Sequence, residues 1–263
     1  MDSIERRKSV RKYRDNFIEA EKISEIIRIL EEAETGPGGN YIKFEFIAEN
    51  LSGEVKNVVT YGFLSGRYGA IAGWVSDEPY AIIDYGYILE KIALNLVDLD
   101  IGTCWLGGSF SKRNIIEAME KDRSLNKSIP AILAVGYEGE GRRIRDFLIS
   151  GTKRKRKDFD ETFFTGNFEK IKENYKREIL EGVRWAPSAM NKQPVRVIWD
   201  EHRVHFYLVD TSLKMRYLDM GIAMSHFELK AAANGIKGEW KIDEQATLTN
   251  WTYMYTYDIS NIE

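Results

Sequence analysis

The stretch Ile179-Leu180-Glu181-Gly182-Val183-Arg184-Trp185-Ala186-Pro187-Ser188-Ala189-Met190-Asn191-Lys192-Gln193-Pro194 decides how this chain is read. It carries the end of a helical segment and a turn punctuated by Pro187 and Asn191. Beyond it Val195 and Val197 alternate as in a strand. The same grammar occurs earlier. Ile23, Ile26, Ile27 and Leu30 fall at i, i+3, i+4, i+7, the spacing of an amphipathic helix. Thr35-Gly36-Pro37-Gly38-Gly39-Asn40 then supplies a turn, and Phe44 and Phe46 alternate after it. Ile29-Leu30-Glu31 and Pro37 recur 150 residues later at Ile179-Leu180-Glu181 and Pro187, and Asn40 recurs one residue further on as Asn191. A second block repeats at a spacing of 135: Asp84-Tyr85-Gly86, a helical apolar pattern, then Ile101 and Trp105 match Asp219-Met220-Gly221, a similar helix, then Ile236 and Trp240. Two ordered blocks read as an internal duplication, although short helix–turn–strand units also resemble one another by chance.

Outward from these blocks, Ala131-Ile132-Leu133-Ala134-Val135 reads as a buried strand. Val204 to Val209 and Thr249 to Tyr257 read as further strands. Strands and helices intermix without a regular strand–helix–strand rhythm, which points to an α+β fold. The charged, turn-rich stretch from Gly139 to Asn167 is the expected boundary. It gives two unequal repeats, 1–165 and 166–263.

Composition bounds the class. The 263 residues are 43% hydrophobic and 30% charged, with a net charge of −3. Those fractions suit a globular protein and exclude disordered, collagen-like and disulfide-stapled chains. A mildly acidic chain is a poor candidate for nucleic-acid binding. The single cysteine, Cys104, rules out an intrachain disulfide. No apolar stretch follows the basic N-terminus, and no uninterrupted apolar run reaches the ~18 residues of a membrane helix. A cytoplasmic location is the expectation.

Negative motifs narrow the chemistry. G-x-G-x-x-G is absent. Gly102-Thr103-Cys104-Trp105-Leu106-Gly107-Gly108-Ser109 approaches a phosphate loop but has Gly108 where the lysine is needed. His202, His205 and His226 lack metal-ligand spacing. Two basic clusters remain, Arg6-Arg7-Lys8-Ser9-Val10-Arg11-Lys12 and Lys153-Arg154-Lys155-Arg156-Lys157. In an extended segment Arg7, Ser9 and Arg11 point the same way, and two guanidiniums around a hydroxyl suit a phosphate. Arg154 and Arg156 alternate likewise.

Five segments together resemble the FMN-dependent nitroreductase family. Arg7-Lys8-Ser9-Val10-Arg11-Lys12-Tyr13 is similar to its opening phosphate motif, and Gly102-Thr103-Cys104-Trp105-Leu106-Gly107 to its loop over the flavin. The segment from Ile129 to Tyr137 resembles its late core strand, Arg154 and Arg156 its terminal phosphate clamp, and Arg184 to Pro194 its Pro-Ser-Ala-x-Asn segment. The order departs from the family, in which that last segment follows the first helix. Members are homodimers with FMN at the subunit interface, so the resemblance implies two fused subunits: an intrachain pseudo-dimer, monomeric, with one FMN between its halves. It further implies an antiparallel or mixed sheet flanked by helices, and cofactor contacts from Arg7, Lys8, Ser9, Arg11, Trp105, Leu106, Gly107, Arg154, Arg156, Pro187, Ser188, Ala189 and Asn191. NADH or NADPH would be the hydride donor, and a nitroaromatic or quinone-like small molecule the acceptor, in ping-pong turnover without a protein acid–base residue. The alternatives are a flavin-sequestering protein without turnover and, at a further remove, a nucleic-acid binder using 153–157.

Overall fold

The computed structural model describes residues 2–48, 64–119, 127–140, 155–243, 246 and 249–259. Two compact units emerge. The first comprises 1–35, 41–81 and 91–155; the second comprises 36–40, 82–90 and 156–263.

In the first unit a short helix α1 (Ser3–Arg6) precedes the amphipathic α2 (Ala20–Glu31), which buries Ile26 and Leu30. Strands β1 (Phe44–Ile47), β2 (Gly69–Gly73), β4 (Gly102–Leu106) and β6 (Ile132–Gly136) form an antiparallel sheet in the order β1-β2-β6-β4. A small ladder joins β3 (Val75–Ser76) to β5 (Lys127–Ser128). Helix α3 runs from Pro79 to Asp98, its middle (82–90) belonging to the second unit, and α4 from Lys112 to Ala118. Every residue of β2 and β6 is buried, so both faces of the sheet are covered. On one of them Ala70, Ala72, Cys104, Leu106, Ile132 and Ala134 pack with Val10 and Tyr13. The stretch Gly102–Gly107, expected as a loop, is in fact mostly strand: Gly102 to Leu106 pair residue by residue with β6. Its apolar residues belong to the core, with Cys104 and Leu106 buried.

In the second unit β7 (Phe163–Thr165), α5 (Asn174–Trp185), β8 (Val195–Asp200), β9 (Arg203–Leu208), α6 (Met215–Ala233), β10 (Gly238–Lys241) and β11 (Thr252–Ile259) follow in turn. Their sheet has the order β10-β11-β9-β8-β7, antiparallel except where β7 runs parallel to β8. Its core is aromatic. Phe227 meets Phe206 at 5.3 Å and Tyr257 at 5.2 Å, and Trp240 meets Tyr257 at 4.9 Å, each edge to face. His226 is wholly buried, with Nε2 2.9 Å from Glu90 and Nδ1 3.0 Å from the Gly182 carbonyl.

The two sheets share a strand order. Each has a helix, an antiparallel strand pair, a long helix and a further antiparallel pair, arranged β1-β2-β6-β4 and β8-β9-β11-β10. The matched sequence blocks fall on matched elements: Asp84-Tyr85-Gly86 lies in α3 and Asp219-Met220-Gly221 in α6. Within the second unit these glycines face one another's helix. A Cβ on Gly86 would lie 2.4 Å from the Leu218 carbonyl oxygen, and one on Gly221 only 1.9 Å from that of Ile83. The two aspartates also do the same work. Asp84 accepts hydrogen bonds from the backbone of Gly38 and Asn40 and from the Asn40 side chain. Asp219 accepts one from the Ala189 backbone. Each buried carboxylate thus holds a turn that follows a helix, α2 in one case and α5 in the other.

Candidate functional site

The N-terminal residues expected on a phosphate form one extended strip of the first unit. Arg7 caps α1 in an extended conformation. Ser9 then bridges Thr103 in parallel fashion, with the Val10 amide donating to the Thr103 carbonyl at 2.8 Å. Lys12 and Tyr13 continue the strip by bridging Ser65 and Glu138. Gly102 makes this close approach possible, since a Cβ there would lie 2.8 Å from Val10 Cγ2. Val10 turns inward to the core while Ser9 and Arg11 are half-buried. Arg7 is only 2% exposed. Beside Ser9, the Thr103 hydroxyl is buried and has no hydrogen-bond partner among the described residues. Lys8 points elsewhere, to a surface ion pair with Glu138 at 2.7 Å. At the end of β4, Trp105 is half-buried, Leu106 buried and Gly107 half-buried, and a Cβ on Gly108 would meet nothing within 4 Å.

The second group lies in the second unit. Pro187 ends α5, since it cannot continue the helix and holds Ala186 extended. A single 3-10 turn, Ala189–Asn191, follows. Its backbone is unusual: Met190 (φ 55), Asn191 (φ 54) and Gln193 (φ 49) are all left-handed. Each such non-glycine residue costs about 1 kcal/mol or more and persists only where its surroundings impose it. The bonds that impose it are visible. The Ser188 hydroxyl accepts from the Gln193 amide at 2.9 Å, and the Asn191 amide donates to the Ser188 carbonyl at 2.9 Å. The Ala189 amide donates to Asp219 Oδ1 at 2.7 Å. Arg156 Nη1 donates to Asn191 Oδ1 at 3.0 Å and to the Ala186 carbonyl at 3.1 Å, while its Nη2 donates to the Trp185 carbonyl at 2.7 Å. The Lys157 amide donates to Gln193 Oε1 at 2.8 Å.

Arg156, expected on the phosphate, directs its guanidinium to the Trp185–Asn191 segment, donating to the Trp185 and Ala186 carbonyls and to Asn191 Oδ1. Lys157, whose pKa burial pushes down, likewise faces Gln193. These two residues of the basic run are therefore tied to the turn. Arg154, the other clamp residue, lies outside the described residues. The structure places Arg7, Ser9 and Arg11 on one extended strip, with Ser9 against Thr103, and gathers Pro187, Ser188, Ala189 and Asn191 in one segment to which Arg156 is bonded.

Sequence reasoning missed Asp219, Gln193 and Thr103. In the sequence, Asp219 is signalled by its match with Asp84 in the repeated triplet. With Pro187, Ser188, Gln193, Thr162 and Ala223 it borders a small cavity. Burial raises its carboxyl to about 7, against the opposing pull of the Ala189 amide and Arg216. Burial also raises Asp84, opposed by the bonds from Gly38 and Asn40. Because the folded-state pKa of Asp219 exceeds its unfolded value of 3.8, the folded protein holds a proton between these values that the unfolded chain has lost. That contribution to stability is complete below the lower value and fades as the pH rises through the higher one. Asp219→Asn removes this slope, so the melting temperature of the variant relative to wild type rises between about pH 5 and about pH 8. A constant difference in thermal scans across that range would refute the assignment.

Among the described residues no cluster of three or more His, Cys, Asp or Glu could hold a metal ion, and no helix is long and apolar enough to cross a membrane. A family model described as "Putative TM nitroreductase" matches residues 1–231. The chain belongs to this nitroreductase family. Membership makes it an oxidoreductase of the nitroreductase type. The structure of a "putative nitroreductase" from Thermotoga maritima superposes with a TM-score of 0.66 at 17% identity, covering 98% of this chain and 94% of that one. An "FMN-dependent Nitroreductase" from Clostridium difficile matches at a TM-score of 0.40 and 23% identity over 54% of this chain and 88% of its own. A "putative nitroreductase in complex with FMN" from Exiguobacterium sibiricum gives 0.39 and 16% over 55% and 93%. No curated protein matches. The antiparallel and mixed sheets flanked by helices are the architecture expected of this nitroreductase from its sequence.

Proposed function

We propose that the chain is an FMN-dependent NAD(P)H oxidoreductase acting on nitroaromatic or quinone-like acceptors in ping-pong fashion, with one FMN per chain and a cytoplasmic location. The observation that carries this reading is the Arg7–Arg11 strip: a buried guanidinium, the Ser9 hydroxyl and Arg11 on one extended segment, with the buried Thr103 hydroxyl beside them. This donor set fits a phosphate monoester, which carries nearly two negative charges and accepts forked guanidinium bonds. At the other end of β4 the open space at Gly108 leaves room for a planar ring beside Leu106 and Gly107.

In this reading Arg7, Ser9 and Arg11 bind the phosphate and fix the register of the cofactor. Trp105, Leu106 and Gly107 flank the isoalloxazine. Pro187, Ser188, Ala189 and Asn191 supply the turn that orients its polar edge or ribityl chain. The Ser188 oxygen accepts from Gln193, and its hydroxyl proton can donate to the ligand. When bound, FMN supplies the redox chemistry by taking hydride from the reduced nicotinamide and passing electrons to the acceptor. The protein contributes placement and a field of backbone dipoles and cations, not a proton-transfer residue.

The test is the visible spectrum of the purified protein with added FMN, followed by anaerobic mixing with NADH or NADPH. The expected result is a bound flavin at one equivalent that bleaches on mixing. A chain that stays colourless overturns the reading, and a bound flavin that neither nucleotide reduces indicates sequestration.

A further inference from the structure

We propose that Asp219 and Arg156 are positioning residues that together hold the Ala189–Asn191 turn in its left-handed conformation, and that the capacity of the turn to receive its ligand depends on both. The inference rests on the reading that this turn serves FMN, but its structural half stands by itself. A turn with Met190, Asn191 and Gln193 all left-handed, and with Met190 87% exposed, buries none of its side chains fully. Its conformation comes from outside. Asp219, 3% exposed on α6, grips the Ala189 amide where the turn begins. Arg156 grips the Asn191 side chain where it ends, and ties both to the carbonyls of Trp185 and Ala186 at the end of α5. Removing either support lets the backbone relax, and a ligand must then reorder it at a cost to affinity.

The repeat supplies an internal comparison. The Gly38–Asn40 turn, equivalent in sequence, is held by Asp84 through three hydrogen bonds, and a Cβ at Gly38 would lie 2.9 Å from Asp84 Oδ2 and 3.0 Å from the Tyr255 hydroxyl. A side chain in place of Gly38 would press on Asp84 and Tyr255. Asp219 gives its turn one bond and shares its other oxygen with Arg216, 3.3 Å away, itself paired with Asp210. Arg184 borders the same cavity, but its guanidinium is bound to Glu181 and the Lys157 carbonyl. Arg216 is the charged side chain bonded to Asp219. Ionised, Asp219 is the stronger acceptor for the Ala189 amide. The hold on the turn therefore tightens as the pH rises through the range where Asp219 loses its proton.

Two readouts on the full chain test this. In hydrogen–deuterium exchange without flavin, Asp219→Ala and Arg156→Met should each speed exchange of the peptide spanning 186–193 by about tenfold. Exchange elsewhere in the second unit should be unchanged. Asp219→Asn, which keeps the acceptor oxygen, should restore protection near that of wild type at about pH 6 but not its further increase at about pH 8. In FMN titrations the Ala and Met variants should bind about tenfold more weakly, and the wild-type affinity relative to Asp219→Asn should rise with pH. Asp84→Asn, acting on the other turn, should lower the melting temperature and leave FMN affinity within about twofold. Unchanged exchange at 186–193 in either variant overturns the proposal whether or not FMN binds. Faster exchange with undiminished FMN affinity overturns its functional half. Failure of wild-type protein to bind FMN, with the exchange results as expected, overturns the flavin reading and leaves the positioning role standing.

Discussion

Gly221→Ala should lower the melting temperature by roughly 6–12 °C, corresponding to about 3 kcal/mol in a unit of this size. The direction is the opposite of the usual one. Alanine is the better helix former by about 1 kcal/mol, so at an exposed helical position the same change stabilises. At 221 the added Cβ would sit 1.9 Å from the Ile83 carbonyl oxygen and 2.6 Å from the Tyr87 amide nitrogen. Both are backbone atoms of α3, so no rotamer change relieves the clash, and the helices must separate by more than an ångström. Overpacking of this kind typically costs about 1–3 kcal/mol, occasionally more, and here it also removes the propensity gain. Gly86→Ala meets the Leu218 carbonyl at 2.4 Å and should lose less. Gly108→Ala, with nothing within 4 Å, is the control and should change the melting temperature by under about 2 °C. A Gly221→Ala protein melting at or above wild type would mean that α3 and α6 do not approach as described.

The glycine pair also shows what the sequence made legible. Asp84-Tyr85-Gly86 and Asp219-Met220-Gly221 stood out as a repeated triplet because short local patterns survive in the order of residues. So did the amphipathic period of α2, the apolar run of β6 and the extended alternation of Arg7, Ser9 and Arg11. Each depends on neighbours within a few positions. What the triplet is for depends on partners far along the chain: Gly221 on Ile83, Asp219 on Ala189, Asp84 on Gly38. Nothing in local spacing announces those contacts. The bonds of Arg156 are hidden from the sequence for the same reason. A basic residue within a basic run looks like a solvent-facing or anion-facing cation, whereas its hydrogen bonds go to carbonyls about thirty residues ahead. Gly102–Gly107 failed in a different way. The loop was implied by the resemblance and not by the residues, and here Thr103, Cys104 and Leu106 are buried while pairing with β6 satisfies the backbone.

Arg7→Met should weaken FMN binding by about 100-fold or more while leaving riboflavin binding within about threefold, because only the former carries a phosphate. The size follows from two charge-assisted hydrogen bonds of about 1.5–3 kcal/mol each from one forked guanidinium. Methionine keeps an unbranched apolar stem in a site that is 2% exposed, so packing is largely retained. Arg6→Met is the matched control. Its guanidinium lies at the surface beside Asp98, one residue from Arg7 but outside the Ser9–Arg11 strip, and surface pairs contribute at most about 1 kcal/mol. The ratio of FMN to riboflavin affinity, measured by fluorescence quenching for the three proteins, separates a phosphate contact from general damage. Equal loss of both ligands in Arg7→Met would place the arginine in the scaffold, and no loss of either would move the phosphate elsewhere. Loss confined to FMN would assign the phosphate to the strip that Gly102 allows to lie on β4. The buried Thr103 hydroxyl would then gain an acceptor, so Thr103→Val should add a smaller, phosphate-selective loss of about tenfold.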